Sequence, residues 1–226
     1  MARDFKRLSV AVGRRRLDGD LFFPLRPAGV VIFAHGSGSS RFSPRNVFVA
    51  ESLVARGFAA LLFDLLHPEE SEDRRNVFDI ALLAGRLQEA IGWASRENEI
   101  GDLPIGLFGA STGAAAALVA AALEPAPVAA VVSRGGRPDL AAEQLAQVKA
   151  PTLLLVGGFD HEVLELNRWA LRQLRCEARL DVVPGATHLF EEPGALERVA
   201  QIAGDWFVEH VRPKAREAIH EPGARA

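Results

Sequence analysis

The 226-residue chain has one cysteine, Cys176, so no disulfide can close within it and no thiolate cluster can hold a metal. Its six histidines, at 35, 67, 161, 188, 210 and 220, include no His-Glu-x-x-His spacing or other zinc signature, and metal-free chemistry is the expectation. No apolar run reaches membrane-spanning length. The segment Met1 to Val12 mixes charged and apolar residues without the apolar core of a secretion signal, which predicts a cytoplasmic protein with no membrane partner. A formal net charge of only −3 removes any general attraction to nucleic acid or to an anionic surface. Internal repeats and low-complexity inserts are missing too. Self-association into a homo-oligomer is left open by the composition.

What is present is the material of one large core. With 49% hydrophobic and 24% charged residues, the chain suits a single α/β domain over residues 1–211, followed by a flexible tail at 212–226. Strand-length apolar runs recur at Val30 to Ala34, Phe58 to Phe63, Ile105 to Phe108, Val128 to Val132, Thr152 to Val156 and Leu180 to Val183. Between them, Ile80, Leu83, Ala84, Leu87, Ile91 and Ala94, and later Leu196, Val199, Ala200, Ala203, Phe207 and His210, repeat at helical spacing. This alternation predicts a mostly parallel, doubly wound sheet. Phe5 to Phe23 reads as an antiparallel edge, turning either near Gly13 or at Asp18, Gly19 and Asp20. The charged stretch from Leu65 to Asn76 reads as a flap beside the site or as a solvated loop.

The chemistry is expected where Gly109, Ala110, Ser111, Thr112 and Gly113 separate a strand from an alanine-rich helix. A serine hydroxyl is a weak nucleophile until a base takes its proton, and a strained strand-to-helix turn lifts it clear of the sheet. The alternative role for Ser111 is that of an ordinary helix N-cap. A base and an orienting carboxylate must come from loops at the same sheet edge. His188 alone among the histidines follows a late strand, and Asp160 ends the strand-end loop one unit earlier; Glu162 and Glu165 fall inside the next helix. Ser111, Asp160 and His188 are therefore the expected triad. The backbone N–H of Thr112 and one from the loop His35 to Ser40 are the expected oxyanion donors, Ser37 being the first choice and Gly36 the second, with His35 anchoring the loop. Arg41 and Arg45 follow that loop, Arg134 and Arg137 follow the strand Val128 to Val132, and these arginines are candidates for an anionic substrate, or else plain surface residues.

In these stretches, together with Gly157 to Asp160 and Gly185 to His188, the chain resembles the dienelactone hydrolase-like branch of the α/β-hydrolase superfamily. The resemblance implies an eight-stranded sheet and cofactor-free acyl transfer. Dienelactone hydrolases proper use a cysteine nucleophile, whereas Ser111 stands here, so a serine esterase or lactonase acting on a small or medium soluble ester is the better match. The few residues between Val132 and Pro138 leave no room for a cap domain. Ser39 to Asn46 and Ser133 to Asp139 look like bacterial proteins that carry this domain beside a phosphoribosyltransferase domain, but no phosphoribosyl-pyrophosphate loop is found. Two competing classes are a noncatalytic binding or regulatory module on this scaffold and a dinucleotide-binding oxidoreductase. The second fits poorly, because Gly36 and Gly38 are followed by Arg41 where the fingerprint needs a third glycine.

Overall fold

A computed structural model describes residues 5–123 and 128–211, so the expected tail at 212–226 lies outside the described residues. One sheet of eight strands runs through the molecule in the order β1-β2-β4-β3-β5-β6-β7-β8. The edge strands β1 (Lys6–Val12) and β2 (Leu17–Phe23) are antiparallel, and β2 also meets β4 (Ala59–Phe63) antiparallel. From β4 through β3 (Val30–Ala34), β5 (Ile105–Ala110), β6 (Ala130–Arg134), β7 (Thr152–Gly157) and β8 (Ala178–Val183), every pairing is parallel.

Continuous apolar strands such as VVIFA and AALLF form because both of their faces are covered. Ile32, Leu61 and Leu154 point to one face, under α4 (Ile80–Ala94) and α5 (Thr112–Leu123). Val31, Phe33, Leu62 and Leu155 point to the other, under α1 (Pro44–Ala55) and α7 (Ala195–His210). α5 is apolar all round because it is wedged between α4 and the sheet, and its alanines keep the approach close. Ser43 caps α1 through the Asn46 N–H, with Pro44 at the first position, and Asp79 caps α4 through the Leu82 N–H. α6 (His161–Gln173) covers β7 and β8.

Of the two turns open for the N-terminal edge, the chain uses the one at Gly13, where φ is +68° and the Arg16 N–H bonds the Gly13 carbonyl. Asp18 to Asp20 lie inside β2 instead. Acids are tolerated there because Asp20 is held by Arg7 at 3.1 Å and Arg41 at 3.5 Å. Gly19 serves packing: a Cβ on it would sit 2.8 Å from Val12 Cγ2. The 65–76 stretch is also more ordered than a loop, carrying the short helices α2 (Pro68–Ser71) and α3 (Arg74–Phe78). Glu70 pins it by accepting from the His67 N–H and from the buried Arg86. Between β6 and β7 the described chain contains only two 3-10 turns, Pro138–Ala141 and Leu145–Gln147, so no cap domain is inserted.

Candidate active site

β3 is central, and its neighbours β4 and β5 lie on opposite sides of it, which opens a crevice beyond the carboxyl ends of the parallel strands. Ser111 stands there between the end of β5 and the start of α5, with φ at +52°. A non-glycine residue in this left-handed region costs about 1–2 kcal/mol. The surroundings hold it: the Ser111 N–H donates to the Arg134 carbonyl (3.1 Å), and its own carbonyl accepts from the N–H groups of Ala114 (3.1 Å) and Arg137 (3.2 Å). Gly113 lets the turn press against β3, since a Cβ would lie 2.2 Å from the Ala34 carbonyl oxygen and 2.4 Å from that of His35.

The same approach brings the His35 to Ser40 loop beside Ser111; the Cα of Gly36 is so close that an added Cβ would be 3.1 Å from Ser111 Cβ. His35 ties the loop down at both ring nitrogens. Its Nε2 accepts the Leu65 N–H at 3.1 Å, which leaves Nδ1–H to donate to the Gly36 carbonyl at 3.0 Å. Burial holds its pKa below 6.5, against the opposing pull of the Gly36 carbonyl and Asp64, so the ring is a neutral tether. The Ser37 N–H, expected to face an oxyanion, donates to Thr112 Oγ1 at 2.9 Å.

Asp160 occupies the N-cap position of α6 but makes no cap hydrogen bond with its side chain. Its carboxylate turns away and accepts from His188 Nδ1 at 2.6 Å, which orients Nε2 as the free acceptor. Two backbone bonds stitch the strand-end loops together, Gly158 N–H to Val183 carbonyl and Phe159 N–H to Ala186 carbonyl, each 2.9 Å. Glu192 then clamps the His188 loop by accepting from the Thr187 N–H and hydroxyl. Ser111 Oγ forms no hydrogen bond among the described residues, but it shares one cavity of about 270 Å³ with His188, Gly36, Ser37 and Leu189. A second cavity of about 390 Å³ continues from the other side of Gly36, Ser37 and Ser39, walled by Leu65, Leu66, Val77 and Leu83. A larger, open concavity of about 850 Å³ between Phe5, Pro24, Leu25 and Glu99 lies on the antiparallel edge, far from these groups in the fold.

The expected arginines separate. Arg41 is committed to Asp64, Asp20 and Asp18, and Arg137 to Asp139 at 2.7 Å; neither lines the Ser111 cavity. Arg134 does line it, buried at 7% exposure. Arg45, which the sequence places with Arg41 after the His35 to Ser40 loop, lines it as well, and so does Asn46, which carries no distinct signal in the sequence; both lie in the first turn of α1. Among the described residues no group of three or more His, Cys, Asp or Glu side chains is placed to hold a metal ion. No helix among them is long and apolar enough to cross a membrane.

An eight-stranded sheet with an antiparallel edge, flanking helices and a strained serine between strand and helix defines the α/β-hydrolase fold. The model of the dienelactone hydrolase family matches residues 17–205, and the chain belongs to that family of hydrolases. A dienelactone hydrolase structure from Anabaena variabilis is similar at 53% identity and a TM-score of 0.89, covering 92% of this chain and 100% of that one. The esterase domain of a Rhodothermus marinus protein shares the fold alone, at 20% identity and a TM-score of 0.72, over 92% of this chain and 99% of that one. A Mycobacterium tuberculosis protein named "Putative phosphoribosyl transferase" is 58% identical over 90% of this chain, which spans only 46% of that relative's length.

Proposed function

We propose that the chain hydrolyses a small or medium carboxylic ester or lactone through an acyl-enzyme on Ser111. The observation that carries this is the 2.6 Å Asp160–His188 contact opening onto the cavity that Ser111 lines. In the proposed sequence His188 Nε2 takes the proton from Ser111 Oγ as the oxygen attacks the carbonyl carbon. Catalytic hydrogen bonds of this kind often form only when substrate is present. Asp160 holds the ring with Nδ1–H toward itself and stabilises the imidazolium. The N–H of Thr112, at the start of α5 with that helix's positive end behind it, faces the developing oxyanion, together with an amide of Gly36 or Ser37. Since the Ser37 amide donates to Thr112 Oγ1, its use requires that hydroxyl to turn away. His188 then returns the proton to the leaving alcohol, and a water activated by the same ring releases the acid.

The relative's name points to group transfer from a sugar phosphate, but this chain spans only 46% of that relative's length and itself matches a hydrolase family, and its site supports acyl transfer to water. Incubation with a fluorophosphonate probe and assay with p-nitrophenyl butyrate test the proposal. Wild type is expected to be labelled and active, and Ser111→Ala to lose both, with a fall in kcat of at least about 10⁴-fold. Equal labelling and turnover in Ser111→Ala would overturn it.

A further inference from the structure

Ser111 and His188 line one cavity with no hydrogen bond between their side chains among the described residues, so their spacing is set by what holds each from behind. Both are fitted to the same short turn, residues 134–137, at the end of β6. The Arg134 carbonyl accepts the Ser111 N–H at 3.1 Å, and the Arg137 N–H donates back to the Ser111 carbonyl at 3.2 Å. Gly135 lies against the other partner: its φ is +52°, and an added Cβ would stand 3.4 Å from His188 Cε1 and 3.5 Å from Nδ1. Gly136 packs on the first turn of α5, where a Cβ would come 2.7 Å from that of Ala114.

Asn167 anchors this turn from α6. Its side chain is fully buried, and Nδ2 donates to the Gly136 carbonyl at 3.0 Å and to the Val163 carbonyl of its own helix at 2.8 Å. The buried stripe of α6 is otherwise Val163, Leu164 and Ala170, a spacing that calls for an apolar residue at 167. The amide is not fully satisfied either, since Oδ1 has no hydrogen-bond partner among the described residues. Burying an amide with an orphan oxygen is unfavourable, and the hydrogen bond it makes outside its own helix goes to the turn that grips Ser111. Asn167 follows Asp160 by two turns of α6, about 10 Å of helix rise, so one rigid element carries both. Resting on the acyl-transfer proposal for Ser111, we infer that Asn167 is a positioning residue: α6 holds His188 through Asp160 and the Ser111 turn through Asn167, and thereby fixes the distance over which the proton passes. Asn167, Gly135 and Gly136 do not line the Ser111 cavity, so they act on the reaction through the backbone rather than through the ester. A misplacement of about 1 Å between such partners can lower the rate on the order of 100-fold.

Hydrolysis of p-nitrophenyl butyrate and the rate of fluorophosphonate labelling test this, in variants whose near-UV circular dichroism shows them folded at the assay temperature. Asn167→Ser is the informative change. A serine hydroxyl inside a helix bonds the carbonyl four residues back, so the Val163 contact is kept while Gly136 falls out of reach. Both kcat and the labelling rate should fall at least about tenfold, with KM changed by less than about twofold. A role in stability alone would lower the melting temperature and leave kcat of the folded enzyme as in wild type; that result, or a loss confined to KM, overturns the inference. Gly135→Ala reaches the same turn from the His188 side and keeps the test alive should Asn167→Ser fail to fold. It should lower kcat about tenfold at constant KM, and an unchanged kcat overturns the inference as well. Wild type inert toward both ester and probe would remove the acyl-transfer proposal and this inference with it, whereas an active wild type with unaltered variants would remove this inference alone.

Discussion

Ser111 carries a conformational strain that the proposed role of its hydroxyl would explain. Its φ of +52° is natural for glycine and strained for anything with a Cβ. Ser111→Gly and Ser111→Ala both delete the hydroxyl, so their difference isolates the backbone: the glycine variant should be the more stable by about 1 kcal/mol in chemical denaturation. Asp160 shows a second local sacrifice, because a residue at the N-cap of α6 forgoes its cap bond to reach His188. Asp160→Asn keeps the shape but supports the wrong ring tautomer, and kcat should drop by roughly 10⁴-fold with little loss of stability. The contact between Asp160 and His188 was legible in the sequence, since strand ends announce which loops share an edge. The aim of the arginines was not. Arg41 faces acids from β2 and from the end of β4, partners that only the assembled sheet brings together.

Among the elements, the loop after β3 depends most on one buried ring. The folded-state pKa of His35 lies below its ordinary 6.5, so on acidification the unfolded chain takes up this proton before the folded one does. Stability should therefore fall as pH drops through about 6.5 and level off only below the folded value. Melting temperatures measured from about pH 8 to 5 should show a shallower acid slope in His35→Gln than in wild type. Strands and long helices were readable because their apolar periods are strong, as in Ile80–Ala94 and Ala195–His210. The segment around α2 and α3 was not, because its order comes from single capping contacts: Asp73 accepts the Arg75 N–H, and Glu70 accepts from His67 and Arg86. The N-terminal turn was ambiguous because Gly19 has the composition of a turn and the environment of a strand.

At the scale of the molecule, Arg41 joins the antiparallel edge to the parallel body, bridging Asp18 and Asp20 of β2 to Asp64 after β4. Arg41→Met leaves the mostly buried Asp20, among the described residues, with Arg7 alone. A loss of about 2 kcal/mol is expected, or roughly 5 °C in melting temperature for a domain of this size. The two 3-10 turns between β6 and β7 are all that stands where a roof would be inserted, and the His188 side chain keeps 38% of its surface in contact with solvent. On the proposed reaction, an acyl group parked on residue 111 would then be met first by bulk liquid, and the fate of the intermediate would be decided by what is most plentiful outside rather than by a chosen acceptor shut in with it.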